Sequence, residues 1–292
     1  MSGIRQTIAQ LRTAFGQFTG GRLLNETHQN FFETMAEGQE YGPSLLQRDR
    51  FEYFDDFTME AIQTTGAGNG LWIVFAGSDG DATAAAIIAG VPEGAINMGS
   101  GDGGSTEDGS VLSLILLSKG SLISLGKTVL EVRVSTSVIT GNVISIGLAD
   151  KLATTAEHPM YTVIAGDIAD GGMTFSNAAG FVYDTEATTT AEWHGVTENA
   201  GTIANVAASA SAALGDGPTV NTYQVLRLEI DADGTARFYI DGNLAKTVTS
   251  AVATTSLLIP YIGIDAEAGT AVLNDLTVDY IYFSGARPSS NA

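Results

Sequence analysis

Few side chains in this sequence could do chemistry, and most of those are carboxylates. Asp79-Gly80-Asp81 and the group Asp102, Glu107 and Asp108 place hard oxygen donors on pliable, glycine-rich backbone, which suits calcium. Neither has the spacing of a calcium loop, and Asp and Gly are also ordinary turn residues. Tyr183-Asp184 and Trp193-His194 each set an aromatic ring beside a polar group, as a carbohydrate platform does. The competing reading is two core aromatics, each with one polar handle. The three histidines, His28, His158 and His194, stand far apart and show no metal-ligand spacing. No Gly-x-Ser-x-Gly marks a nucleophile elbow, and the absence of cysteine excludes thiolate chemistry and disulfides. Gly101 to Gly104 resembles a phosphate loop only in composition, since the neighbouring carboxylates would repel phosphate. No cofactor is therefore expected, with calcium the one metal that these residues could hold.

Short strands must position these groups. Apolar residues make up 44% of the chain and charged residues 16%, a composition that folds. Its 35 glycines and only 6 prolines suit many tight turns. From Phe51 onward the hydrophobic period is two. Leu226, Leu228 and Ile230 alternate with Arg227, Glu229 and Asp231. Ala236, Phe238 and Ile240 then alternate with Arg237, Tyr239 and Asp241, and a further strand carries Leu244 and Val248. The Asp233-Gly234 and Asp241-Gly242 turns make this a three-strand meander. Leu130, Val132 and Val134 alternate likewise, and Val143 to Leu148 is expected as their hairpin partner across Thr140-Gly141-Asn142. Further strands are expected at Leu71–Phe75, Val111–Leu117, Gly180–Tyr183, Leu257–Ile264 and Val272–Phe283. Gly99–Ser110 and Asn199–Pro218 read as long surface loops. So many strands without intervening helices predict an antiparallel sandwich or barrel, not a parallel α/β sheet.

The first fifty residues have a different rhythm. Ile4, Ile8, Leu11, Phe15 and Phe18 recur at helical spacing, and a second helical stretch is expected over Leu24–Ala36. Such a stripe cannot stay folded alone, so an arm over 1–50 is expected to dock on its own domain, a sister subunit or another protein. Residues 1–52 hold five of the 13 basic and six of the 33 acidic side chains, so 8 basic and 27 acidic residues remain, and the body carries −19 of the net −20. That acidity argues against nucleic-acid and anionic-membrane partners. With no signal-peptide run at the start, synthesis in the cytoplasm is expected.

The order of pieces resembles the concanavalin A-like lectin/glucanase (laminin-G-like) superfamily. The residues carrying the resemblance are Tyr53-Phe54-Asp55-Asp56-Phe57, Leu71-Trp72-Ile73, Leu130 to Arg133, Ile146 to Asp150, Leu228 to Gly242 and Leu276 to Arg287. It implies an all-β, two-sheet antiparallel jelly-roll sandwich over 51–287 with the last strand beside the first, a short, mostly helical N-terminal arm over 1–50, and a tail at 288–292. The glucanase branch carries Glu-x-Asp-x-x-Glu, whose two glutamates act about 5 Å apart in retaining chemistry. Here Glu229-Ile230-Asp231-Ala232-Asp233-Gly234 has a turn glycine in place of the second glutamate, so a non-catalytic protein is expected. More loosely, the chain resembles capsid decoration and other structural proteins of tailed bacteriophages. That resemblance implies a virion location, docking of the arm on the major capsid protein or another virion protein, and a homo-oligomer such as a trimer. The alternative function is a carbohydrate-binding module for host glycans.

Overall fold

The computed structural model describes residues 50–57, 72–76, 86–88, 94–100, 108–114, 120–150, 161–164, 167–170, 175–185, 187, 192–204, 212–266 and 274–286. The chain divides into two units, Met1–Phe51 with Ser289–Ala292 and Glu52–Pro288, and nearly all described residues belong to the second. The expected helical arm, with Ile4, Ile8, Leu11, Phe15 and Phe18, lies outside the described residues.

The strands in chain order are β1 (Arg50–Asp55), β2 (Trp72–Ala76), β3 (Ala86–Ile87), β4 (Ile96–Gly99), β5 (Asp108–Leu114) and β6 (Ser121–Leu122). After a 3-10 turn at Ile123–Leu125 come β7 (Thr128–Thr136), β8 (Asn142–Ala149), β9 (Tyr161–Ile164), β10 (Asp167–Asp170), β11 (Ala178–Asp184) and β12 (His194–Asn199). The chain continues through β13 (Thr202–Ala204), β14 (Gln224–Ile230), β15 (Ala236–Ile240), β16 (Asn243–Val248), β17 (Leu257–Ala266) and β18 (Asp275–Ala286). Every registered pair is antiparallel. One large sheet, the front sheet, runs β16-β15-β14-β7-β18-β4-β3 with β1 beside β18. The other, the back sheet, runs β13-β12-β11-β8-β17-β5-β2 with β6 beside β17, and β9-β10 form a separate ribbon. The first strand does lie beside the last.

Period two builds the core. On the front sheet Val132, Leu226, Leu228, Phe238 and Ile281 are buried on one face. On the back sheet Ile144, Ile146, Leu148, Phe181 and Ile262 oppose them. Phe181 meets Phe238 edge-on across the sandwich, with centroids 5.3 Å apart. The meander forms as expected. Asp241 and Gly242 both have positive φ (49° and 80°), the conformation that lets a two-residue turn match the strand twist, and they join Ile240 to its partner Asn243.

Two expectations are corrected. β7 and β8 do not form a hairpin. β7 pairs with β14 and β18, β8 with β11 and β17, and Ser137–Gly141 carries the chain from one sheet to the other. That crossing is tied down: Thr136 Oγ1 and Asn142 Nδ2 both donate to the Val138 carbonyl, Tyr183 Oη donates to the Ile139 carbonyl, and Asn274 Nδ2 donates to the Gly141 carbonyl. Thr-Gly-Asn between two apolar runs gives the same signal for a hairpin as for a corner, because both need a bend and only long-range pairing separates them. The stretch Asn199–Pro218 is not all loop either. β13 pairs with β12, and Ala212 and Leu214 are buried.

Candidate functional site

The four residues expected to form a sugar platform do not form one. Tyr183 and Asp184 are consecutive in β11, and Trp193 immediately precedes His194, the first residue of β12, so extended backbone sends the two members of each pair to opposite faces. Tyr183 and Trp193, 2% and 1% exposed, point into the sandwich. Their rings meet at 5.8 Å, Trp193 also packs on Phe181 at 6.4 Å, and its indole N–H donates to Gln224 Oε1 at 3.1 Å. A ring enclosed on both faces cannot stack on a sugar, so both are core with one polar handle. His194 and Asp184 are buried on the far face of the back sheet, where burial holds the His194 pKa below its ordinary value. That face is closed by a small apolar cluster including Val143, Val182, Val196, Phe175 and Ala212.

The calcium candidates fare differently. Asp79, Asp81, Asp102 and Glu107 lie outside the described residues. Asp108 opens β5 opposite Ala266. Among the described residues no group of three or more His, Cys, Asp or Glu could hold a metal ion, and no helix is long and apolar enough to cross a membrane.

Sequence reasoning missed the outer face of the front sheet. One cross-strand row there reads Leu244 (β16), Tyr239 (β15), Arg227 (β14), Glu131 (β7), Tyr282 (β18). The neighbouring row places Val225, Arg133 and Tyr280 side by side. A bulge in β18 decides this. Val278 opposes Val134 and Tyr280 opposes Arg133, so Asp279 has no partner and the alternation changes phase. Without that extra residue, Tyr280 and Tyr282 would point into the core and Ile281 and Phe283 outward.

The face carries a continuous polar network. Arg237 pairs with Asp231, and Lys127 Nζ sits 3.7 Å from Asp231 Oδ1 and 2.8 Å from Glu229 Oε2. Arg227 donates to Glu229 Oε1 at 2.6 Å and to Glu131 Oε2 at 3.1 Å, and Tyr280 Oη donates to Glu131 Oε1 at 2.9 Å. Beside it Arg133 Nη1 meets Asp279 Oδ2 at 2.6 Å while its guanidinium lies 4.2 Å over the Tyr223 ring. Burial and the Glu131 bond push the Tyr280 pKa up to about 12, so the phenol keeps its proton at neutral pH. Phe54, 58% exposed, lies 5.7 Å from the Tyr280 ring and extends the aromatic surface onto β1.

The alternation in β14 predicts Glu229 on the side of the strand away from Leu228 and Ile230. It does stand on the outer face, but its side chain is only 10% exposed. Burial alone would raise its pKa; the hydrogen bonds from Lys127 and Arg227 outweigh that and hold it below the ordinary 4.5. A general acid needs the opposite shift, so Glu229 is unsuited to that role. A carboxyl depressed by folding stabilises the fold above its unfolded pKa, and that contribution is lost as pH falls through the folded value. Stability should therefore fall more steeply between about pH 5 and pH 3 in the wild type than in Glu229→Gln. Urea midpoints measured across that range check this, and equal slopes would remove Glu229 from the acid response.

No family model matches the sequence, and no curated protein matches it. Among solved structures, the chain is similar to the Emp47p carbohydrate recognition domain, with 14% identity over 80% of this chain and 94% of that one and a TM-score of 0.46. It is also similar to the Bacillus licheniformis β-glucanase, with 12% identity over 80% and 97% and a TM-score of 0.43. A conserved carbohydrate esterase of Shiga toxin-encoding bacteriophage phi24B shows 14% identity over 73% and 89% and a TM-score of 0.42. Each is a resemblance of overall architecture alone.

Proposed function

We propose that the sandwich is a non-catalytic carbohydrate-binding module and that the outer face of the front sheet is its binding surface. The observation that carries this reading is the row Tyr239-Arg227-Glu131-Tyr282, which sets two rings at either end of a hydrogen-bonded guanidinium–carboxylate pair. Sugars present apolar C–H faces and rings of hydroxyls, so they suit aromatic bodies interleaved with planar polar groups. The polar groups are held in place by one another, which lowers the ordering cost of binding. The row spans three strand spacings, about 14 Å, longer than a single pyranose ring, and therefore suits a glycan chain laid across the strands.

The display of this module on a phage particle through the segment 1–50 is part of the same proposal. It is motivated by the near-neutral, helically patterned leader ahead of a strongly acidic body.

The test is a glycan array followed by calorimetry on the best binder. Tyr282→Ala and Tyr239→Ala should each weaken binding about tenfold or more, the loss of one stacking ring at about 1.5 kcal/mol, with an unchanged urea midpoint. Removing residues 1–50 should leave glycan binding intact and abolish binding to phage particles. Glycan binding that survives both tyrosine substitutions would place the site elsewhere. Capture of a protein partner on this face, with no glycan bound, would replace the reading.

A further inference from the structure

Among the described residues, the front-sheet network is charge-balanced within a chain that is not. Its four cations, Lys127, Arg133, Arg227 and Arg237, are matched by four carboxylates, Glu131, Glu229, Asp231 and Asp279. These cations are half of the eight basic residues that the acidic body holds. Each is already committed. Arg227 divides its donors between Glu131 and Glu229, Arg133 is held by Asp279 and covered on one side by Tyr223, Arg237 is paired with Asp231, and Lys127 bridges Glu229 and Asp231. Lys246, opposite Phe238 on β16, stands on the other face of the sheet.

From this arrangement we infer that the face selects neutral glycans and rejects those carrying carboxylate or sulfate groups, an inference that rests on the carbohydrate-binding reading above. An anionic sugar is gripped most strongly by a guanidinium free to make two parallel hydrogen bonds with it. Here that geometry is spent inside the protein, and pulling an arginine away would leave its own carboxylate uncompensated. The field of a chain at net −20 also opposes an approaching anion. A neutral hydroxyl meets neither obstacle: it can donate to the remaining lone pairs of Glu131 or accept from a tyrosine, and a C–H face can lie on Tyr239 or Tyr282.

The experiment uses the full-length protein with matched oligosaccharides, each neutral and with a terminal sialic acid or a sulfate, at low and high salt. The neutral member of each pair should bind at least tenfold tighter at low salt, and the gap should narrow as salt screens the field. Asp279→Asn, which releases Arg133, should bind the acidic members severalfold tighter than the wild type does. Equal or tighter binding of the acidic glycans by the wild type overturns the inference and leaves the carbohydrate reading standing. No gain in Asp279→Asn overturns the assignment of selectivity to this network, leaving only the overall charge. Binding of neither class overturns the carbohydrate reading itself.

Discussion

Trp193→Ala should lower the stability of the sandwich by about 3–5 kcal/mol without altering the proposed glycan surface. The indole is enclosed by Phe181 and Tyr183 and anchored through its N–H to Gln224. Truncation therefore opens a cavity between the sheets and leaves a buried amide oxygen without its donor. The effect reads as a lower urea midpoint at unchanged slope. Trp193→Phe keeps most of the ring packing and removes the hydrogen bond, so it should cost about 1–3 kcal/mol and stay folded. That folded variant decides between core and platform. Wild-type glycan affinity in Trp193→Phe is the expected result, and a loss of affinity there would return Trp193 to the binding site.

The second large effect is at Asp55. Its carboxylate accepts three hydrogen bonds, from the Phe57 backbone N–H at 2.8 Å, the Tyr53 hydroxyl at 2.6 Å and the Trp72 indole at 2.7 Å. Tyr53 is on β1 of the front sheet and Trp72 on β2 of the back sheet, so one side chain latches the two sheets together near the start of the fold. It also holds Phe57, whose φ of 54° is left-handed and unusual for a residue with a side chain. Asp55→Ala leaves these donors without an acceptor, two of them buried. At about 1–3 kcal/mol per unsatisfied group, a loss of about 3 kcal/mol or more is expected. Asp55→Asn keeps one carbonyl oxygen and should recover part of it. Tryptophan fluorescence during urea unfolding, from Trp72 and Trp193 together, follows the change in midpoint, and a loss below about 1 kcal/mol would show the latch to be dispensable.

Much of the fold was legible because local rules and the fold agree. The alternation in β14 and β15 and the Asp241-Gly242 turn satisfy the same geometry in isolation as in the protein. The candidate site was far less legible. Tyr183-Asp184 and Trp193-His194 make composite surfaces only where neighbours in sequence share a face, whereas a strand sends consecutive side chains to opposite faces. Tyr280 and Tyr282 gave no signal, because strict alternation assigns them to the core with Leu276 and Val278. The failed β7–β8 hairpin has a related cause: a corner and a hairpin share their turn residues.

The amino-acid sequence by itself determined the class of structure: a pleated, turn-rich body whose apolar residues recur at period two, joined by Asp-Gly turns, with no cysteine and with Gly234 where a Glu-x-Asp-x-x-Glu motif starting at Glu229 would need its second glutamate. Those properties are local, set by backbone stereochemistry and side-chain type. The tertiary structure alone decided which face became a surface. The bulge at Asp279 turns two tyrosines outward, and the alignment of β15, β14, β7 and β18 brings Tyr239, Arg227, Glu131 and Tyr282 into one row. The physical reason is that strand register depends on pairings between residues far apart in the chain, such as Glu131 with Tyr282 and Ile96 with Val278, and no local preference encodes a choice among such partners.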